Sequence, residues 1–409
     1  MKAKILIVGG GASGTSLALH AASRTDPLRE PVVLIEKGRL GSGSSGRSGA
    51  IVHQAYSDRA LAGMSRDAVK YYATMRASTG RVVGYRQTGV VVLANRKDAQ
   101  SLARFREDVE MQRSIGIDAT IVGAEEMRQI VPGFEIEDDA LGCFQPDGGF
   151  IDPERTINAF AKLARAKGAV TRTGIANPRV LIEGGRAVGV ETDAGTFHAP
   201  NVVLATGAWT PSILEGLGVR WPMKVMRTEE SYFAMPRVEL PDDQEDNLSG
   251  EGGFETRFVP DPLETMPVAH PVVIDTGTGF HARCEPMAMR TRIGRLGFDQ
   301  LEEITEPDQV SDEVSEEFKT WARNALSSRL PVYRDMEDVG SASATVTLTP
   351  DGLPIIGAVK EIPGLWVVTG FSGNDFHLAP SIGEGLAQMV LGEPVSAFDP
   401  KFFSPDRFQ

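Results

Sequence analysis

A short apolar run at residues 4–8 leads directly into Gly9, Gly11 and Gly14, and this G-x-G-x-x-G pattern constrains the fold more than any other stretch. The run suits a strand buried on both faces, and residues 15–23, rich in Ala and Leu at helical spacing, suit the helix behind it. The first glycine permits a tight turn, the second lets backbone approach a pyrophosphate, and the third lets helix and strand touch. Residues 31–36 read as a second strand, entered through Pro31 and closing on Glu36, 22 residues after Gly14. A carboxylate there can accept hydrogen bonds from a ribose. The unit is expected to be a right-handed βαβ crossover that holds a dinucleotide at a helix N-terminus. The pattern alone does not separate FAD from NAD.

The whole chain has 409 residues, which leaves room for two or three structural units. Small residues at 41–49 form a loop. Helices are expected at 59–78, 98–115, 155–167, 315–326 and 381–391. Strands are expected at 89–94, 179–183, 187–192, 201–204 and 365–369, and around Val272 and Arg292. Asp152 and Pro153 fit the N-cap and first turn of the third helix, and Gly184 with Gly185 fits a hairpin turn. Residues 237–267, acidic and rich in Pro and Gly, read as an exposed excursion: a solvated loop, or an active-site lid.

Composition narrows the partners. The 55 acidic side chains outnumber the 42 basic ones, for a net charge of -13. That balance argues against nucleic acid, which needs a basic surface. Cys143 and Cys284 lie far apart and make no disulfide framework, so a reducing cytoplasm is the expected location. The N-terminal apolar run is too short for a signal-peptide core, and no apolar stretch reaches the roughly 18 residues of a membrane span.

Two later segments bear on the cofactor. Residues 202–209 read Val-Val-Leu-Ala-Thr-Gly-Ala-Trp, and residues 349–357 read Thr-Pro-Asp-Gly-Leu-Pro-Ile-Ile-Gly, followed by Gly370, Phe371, Ser372 and Gly373. Together with the opening motif, these resemble the D-amino acid oxidase-like family of FAD enzymes, which includes glycine oxidase and sarcosine oxidase. The resemblance covers essentially the whole chain. It implies an α/β fold with a Rossmann-like FAD-binding domain of the glutathione reductase type, assembled from residues 1–88, 150–220 and 336–409. A second, α+β substrate-binding domain, built on a mixed or antiparallel sheet, would come from 89–149 and 221–335.

The same resemblance implies residue roles. Gly9, Gly11, Ala12, Ser13, Gly14, Glu36 and Lys37 would hold the ADP half. Ser44, Ser45, Gly46, Arg47 and Ser48 would pass along the flavin ring, with Ala205, Gly207, Trp209 and Gly357 completing the cofactor site. Gly370, Phe371, Ser372, Gly373, Asn374, Asp375, Phe376 and His377, with the start of the helix expected at Ser381, would face the pyrimidine edge. A helix N-terminus there carries unpaired N–H groups and partial positive charge, which favour reduced flavin.

Several positions depart from the family pattern. Ala344 stands where monomeric sarcosine oxidases carry a flavin-linking Cys, so non-covalent FAD is expected. Val346 stands where glycine oxidases often carry a carboxylate-binding Arg. His377 replaces a lysine and His53 an arginine; near neutral pH a histidine can act as base or as anion partner. His281 lies in Gly279-Phe-His-Ala-Arg283, which resembles a substrate-domain strand. Arg283 is therefore the leading carboxylate candidate, ahead of Arg227 and Arg47. Arg292 stands where some relatives place an oxygen-activating lysine.

The implied reaction is oxidation of a C–N bond in a small amine or amino acid. Hydride passes to the flavin, and the imine then hydrolyses. Oxygen or another acceptor takes the electrons. Two other readings fit the same residues: a 2-hydroxy acid dehydrogenase, or the FAD-carrying subunit of a hetero-oligomeric dehydrogenase. Aromatic hydroxylase chemistry lacks its late Gly-Asp-Ala motif here. Oligomeric state leaves no mark on the sequence.

Overall fold

The computed structural model describes residues 1–95, 98–239 and 265–408. Its first sheet explains why the opening strand is apolar throughout. Ile5 and Ile7 enter one core while Leu6 and Val8 enter another, so both faces of the strand are covered. This sheet runs in the order Ile355–Ala358, Leu365–Thr369, Asn201–Leu204, Ile5–Val8, Val32–Glu36, Val170–Thr173. All neighbours are parallel except the edge strand Ile355–Ala358. On one face Ala12–Ala22 packs between Asp375–Leu391 and Pro153–Ala166. The other face lies under a three-stranded antiparallel sheet, whose Arg179–Glu183 and Arg186–Thr192 strands turn at Gly184 and Gly185. Both glycines have positive φ, 56° and 77°, as a tight two-residue hairpin turn demands.

A second, nine-stranded sheet is mixed. Val272–Asp275 pairs parallel with Val90–Leu93, and its other ladders are antiparallel. Helix Glu316–Arg329 covers one face through Phe318, Ala322 and Leu326. The opposite face carries charged side chains and looks toward the first sheet's glycine turn across a cleft. Strand Asp338–Leu348 pairs with Lys224–Ala234 over nearly its whole length. The chain therefore stays in the second sheet past position 336, and rejoins the first only at Ile355.

The closing helix differs from expectation in a way that matters for the site. It begins at Asp375, six residues before Ser381, and carries Pro380 inside it. Pro380 offers no N–H to the carbonyl of Phe376, four residues earlier, which is why a proline reads as a helix start. The buried hydroxyl of Tyr72 donates to that carbonyl at 2.8 Å and takes the place of the missing N–H. Ser381 is thus in the helix interior, and Asn374 and Asp375 form the N-terminus that faces the cleft. Of the acidic stretch 237–267, residues 240–264 lie outside the described residues, and with them any solvated loop or lid. Its two ends, Arg237–Glu239 and Thr265–Pro267, pair as antiparallel strands. No helix among the described residues is long and apolar enough to cross a membrane.

Candidate active site

The two sheets bound a cleft of about 600 Å³. Its floor begins at the glycine turn. Gly9 has φ 112°, and a Cβ there would lie 2.2 Å from the Ala205 carbonyl oxygen; one on Gly14 would lie 2.1 Å from the Gly9 carbonyl oxygen. Only glycine allows these approaches, so strand and helix meet tightly, and Gly9, Gly10 and Gly11 line the cleft. Glu36 accepts hydrogen bonds from the N–H groups of Gly10 and Gly38, both at 2.7 Å, which fixes its carboxylate at the strand end.

The sequence-derived cofactor positions divide in two. Gly9, Gly11, Glu36, Lys37, Ser44, Ser45, Arg47, Ser48, Ala205, Gly207, Trp209 and the run 370–377 line the cleft. Ala12, Ser13, Gly14, Gly46 and Gly357 lie behind it. Gly46 is needed because a Cβ would come 2.0 Å from the Gly41 carbonyl oxygen, and Gly357 packs against Pro405. At one end Lys37 sits 3.8 Å over the Trp209 ring and pairs with Asp308, which also accepts from the indole N–H at 3.0 Å. Ser44 meets Thr345 at 2.8 Å, beside Ala344 and Val346, which also face the cleft.

At the other end three histidines converge. The rings of His53 and His377 lie 4.4 Å apart, Tyr56 stacks on His53 at 5.1 Å, and the Tyr56 hydroxyl donates to Asn374 at 2.9 Å. His281 reaches the same compartment from the second sheet. Burial lowers His53 to about 4, with His281 adding to the effect. It lowers His281 to about 4 against the opposing pull of Glu230, and holds His377 well below its ordinary range. All three are neutral near pH 7. Neither ring nitrogen of His377, which is 7% exposed, has a hydrogen-bond partner, and Nδ1 of His281 also lacks one.

Arg283 and Arg292 do not line the cleft. Arg283, 4% exposed, donates to Glu285 at 2.7 Å and lies 4.3 Å over the Phe150 ring. Arg292 is bonded to Glu230 and to the backbone carbonyls of Arg47 and Ser48. Arg227 pairs with Glu229 at 3.1 Å, and Arg47 with Asp312. Each guanidinium already has a carboxylate partner.

Glu230 and Asp308 went unnoticed in the sequence. A Glu229-Glu230 pair inside an otherwise strand-like run was the available sign for the first. Asp308 sits in the short 3-10 turn Pro307–Gln309 and carries no local signal.

A glycine turn, a fixed acid at the second strand's end and helix N-termini opening on one long cleft are the architecture of a dinucleotide-binding flavoprotein. The cleft's hydroxyls, backbone donors and lack of Cβ atoms fit FAD. The comparisons agree. The chain belongs to the family described as FAD dependent oxidoreductase, whose model matches residues 4–389.

Among curated relatives it is 26% identical to 4-methylaminobutanoate oxidase (formaldehyde-forming) of Paenarthrobacter nicotinovorans, over 99% of this chain and 45% of that protein. It is also 26% identical to mitochondrial dimethylglycine dehydrogenase of Homo sapiens, over 100% of this chain and 44% of that one. The chain thus spans about half the length of these relatives. L-Proline dehydrogenase of P. horikoshii has a similar fold, with a TM-score of 0.81 and 24% identity over 100% of this chain and 98% of that one.

Proposed function

We propose that this protein uses FAD to oxidise a C–N bond in a small amine or amino acid, giving an imine that water then hydrolyses. The carrying observation is the compartment of three neutral histidines, open to the same cleft as the glycine turn. The named relatives act on 4-methylaminobutanoate and dimethylglycine, both amines bearing a carboxylate.

Bound FAD supplies the two-electron acceptor. The chain does the rest. The turn 9–14 and Glu36 hold the ADP half, and Ser44 to Ser48 with residues 370–377 frame the ring. His53, His281 and His377 meet the substrate's polar groups as neutral imidazoles, which donate and accept hydrogen bonds without adding charge. Glu230, the acid beside His281, is tied to Arg292. An amine therefore enters best as the free base, the form from which a hydride leaves.

Ala344 faces the cleft and neither cysteine does, which supports non-covalent FAD. Arg292, at the position of the oxygen-activating lysine, is neutralised by Glu230, which favours another acceptor and dehydrogenase behaviour. Two buried, unpaired thiols support a reducing cytoplasm. The FAD unit is assigned to residues 1–88, 150–220 and 349–409, and the substrate unit to 89–149 and 221–348.

The test is anaerobic bleaching of the flavin with a panel of primary amines, N-methyl amines, amino acids and 2-hydroxy acids. Bleaching by amines with release of ammonia or an amine product supports the reading. Bleaching by hydroxy acids alone overturns it.

A further inference from the structure

Asp375 is a carboxylate placed where an anion's own binding groups converge. It opens helix Asp375–Leu391 and lines the cofactor cleft. One oxygen accepts from the Ser13 hydroxyl at 2.8 Å, on helix Ala12–Ala22, and the other from the Ser45 hydroxyl at 2.9 Å, on the short helix Ser44–Arg47. Ser45 Oγ in turn accepts from the Ala12 N–H at 3.2 Å. The first turns of three helices thus meet on one half-buried side chain at the cleft wall. Among the described residues none offers it a cation: its partners are two hydroxyls.

The other titratable groups around it are Tyr72, from helix Arg59–Thr79, and the neutral His377 and His53. Tyr72 is held protonated by burial and by Asp375 itself. Burial likewise favours the protonated form of Asp375, against the two serine hydrogen bonds.

FAD adds a pyrophosphate with two negative charges at the same glycine turn, and a further negative charge when the flavin is reduced. Once the cofactor fills the cleft and excludes water from this half-buried carboxylate, a third or fourth charge there, without a cation, would repel both. The protonated form does the opposite. Its O–H donates to Ser45, which lines the cleft, and the Ser45 hydroxyl hydrogen is then free to turn toward the cleft, where an anionic oxygen can accept it.

We propose that Asp375 carries a proton in the holoenzyme, that FAD binding draws this proton from solvent, and that ionisation of Asp375 loosens the cofactor. The residue tunes cofactor retention. The inference goes beyond the reaction assigned above and shares with it only the reversible binding of FAD.

Free-flavin fluorescence of diluted holoenzyme gives the dissociation constant, measured from about pH 6 to about pH 9 in wild type and in D375N. One coupled proton raises the wild-type constant by up to about tenfold per pH unit once the apoprotein's Asp375 ionises. D375N is expected to show no such slope, and to bind FAD more tightly than wild type at the alkaline end. A flat wild-type profile, or weaker binding by D375N at every pH, overturns the proposal.

Infrared difference spectra of the holoenzyme test the same proton without dissociation. A protonated-carboxyl band present in wild type and absent in D375N supports it, and its absence from wild type overturns it. If acid precipitation leaves the flavin in the pellet, non-covalent binding fails, and the infrared band alone decides Asp375.

Discussion

Replacing Tyr72 by phenylalanine removes one oxygen atom from a side chain that is 2% exposed, yet it is expected to destabilise the protein well beyond the loss of an ordinary hydrogen bond. The reason lies four residues apart on the closing helix. In a regular helix the Phe376 carbonyl would accept from the N–H of residue 380, but residue 380 is proline. The Tyr72 hydroxyl, at 2.8 Å, supplies the hydrogen bond that the proline removes. In Y72F that carbonyl, on a residue 2% exposed, loses this donor. Leaving a buried acceptor unsatisfied costs about 1–3 kcal/mol. Phe376 and His377 both line the cleft, so the same change disturbs the histidine compartment.

The assay is denaturant unfolding of wild type, Y72F, P380A and the double variant, all with saturating FAD so that ligand linkage is constant. P380A restores an N–H at position 380, so the double variant should lose less than the two single losses added. A coupling of roughly 1 kcal/mol is expected from that repair. Equal stability of Y72F and wild type would refute the reasoning, because it would mean that the Phe376 carbonyl needs no donor. Strict additivity would refute it too, since it would separate the Tyr72 effect from Pro380.

Other outcomes follow from the same geometry. G14A places a Cβ 2.1 Å from the Gly9 carbonyl oxygen and should purify colourless; an ordinary flavin spectrum would contradict the role of the turn. E230Q takes the near carboxylate from buried Arg292, leaving two backbone carbonyls and Glu285 at 3.7 Å, and should cost about 3 kcal/mol in unfolding free energy, while E230L/R292M should recover much of it. His53 and His281 are lowered by burial from 6.5 to about 4. The unfolded chain therefore binds more protons between these values, and stability should be full above about pH 6.5 and fall as the pH drops toward 4. The loss is on the order of 3 kcal/mol for each histidine. Unfolding midpoints across that range, in wild type and in H53N, measure it. H377L should keep its flavin and raise KM about tenfold, as loss of one uncharged hydrogen bond requires; an unchanged KM would remove His377 from the substrate compartment.

How much of this was legible in the sequence depends on how local the signal is. The opening strand, glycine turn and Glu36 form one contiguous unit, and the structure repeats it with Glu36 fixed by Gly10 and Gly38. Asp152 caps its helix through the Arg155 N–H at 2.8 Å, as its place before Pro153 suggests. The start of the last helix was misread because Pro380 is a local stop signal, and its remedy, Tyr72, lies some 300 residues away in the chain. The unit boundary at 336 failed for a similar reason. Strand Asp338–Leu348 carries nothing to say which sheet it joins, and only its register with Lys224–Ala234 decides.

The arginines show the same limit where it bears on function. In the sequence Arg283 reads as a cation fit to bind a carboxylate, and Arg292 stands at the position of an oxygen-activating lysine. The antiparallel register sets Arg283 beside Arg292, Glu285 beside Arg290, and Glu230 beside Gly294, whose missing side chain leaves room for the acid. Three positive and two negative side chains therefore share one face of three neighbouring strands, and the pairs Arg283–Glu285 and Arg292–Glu230 close before any ligand arrives. Breaking such a pair to capture a substrate would leave a buried carboxylate alone, at a cost larger than one new ion pair returns. The orphaned nitrogens of His377 face no such competition. Under the proposed function a substrate's polar atoms therefore meet the neutral histidines, with the residual positive charge of the arginine face behind them.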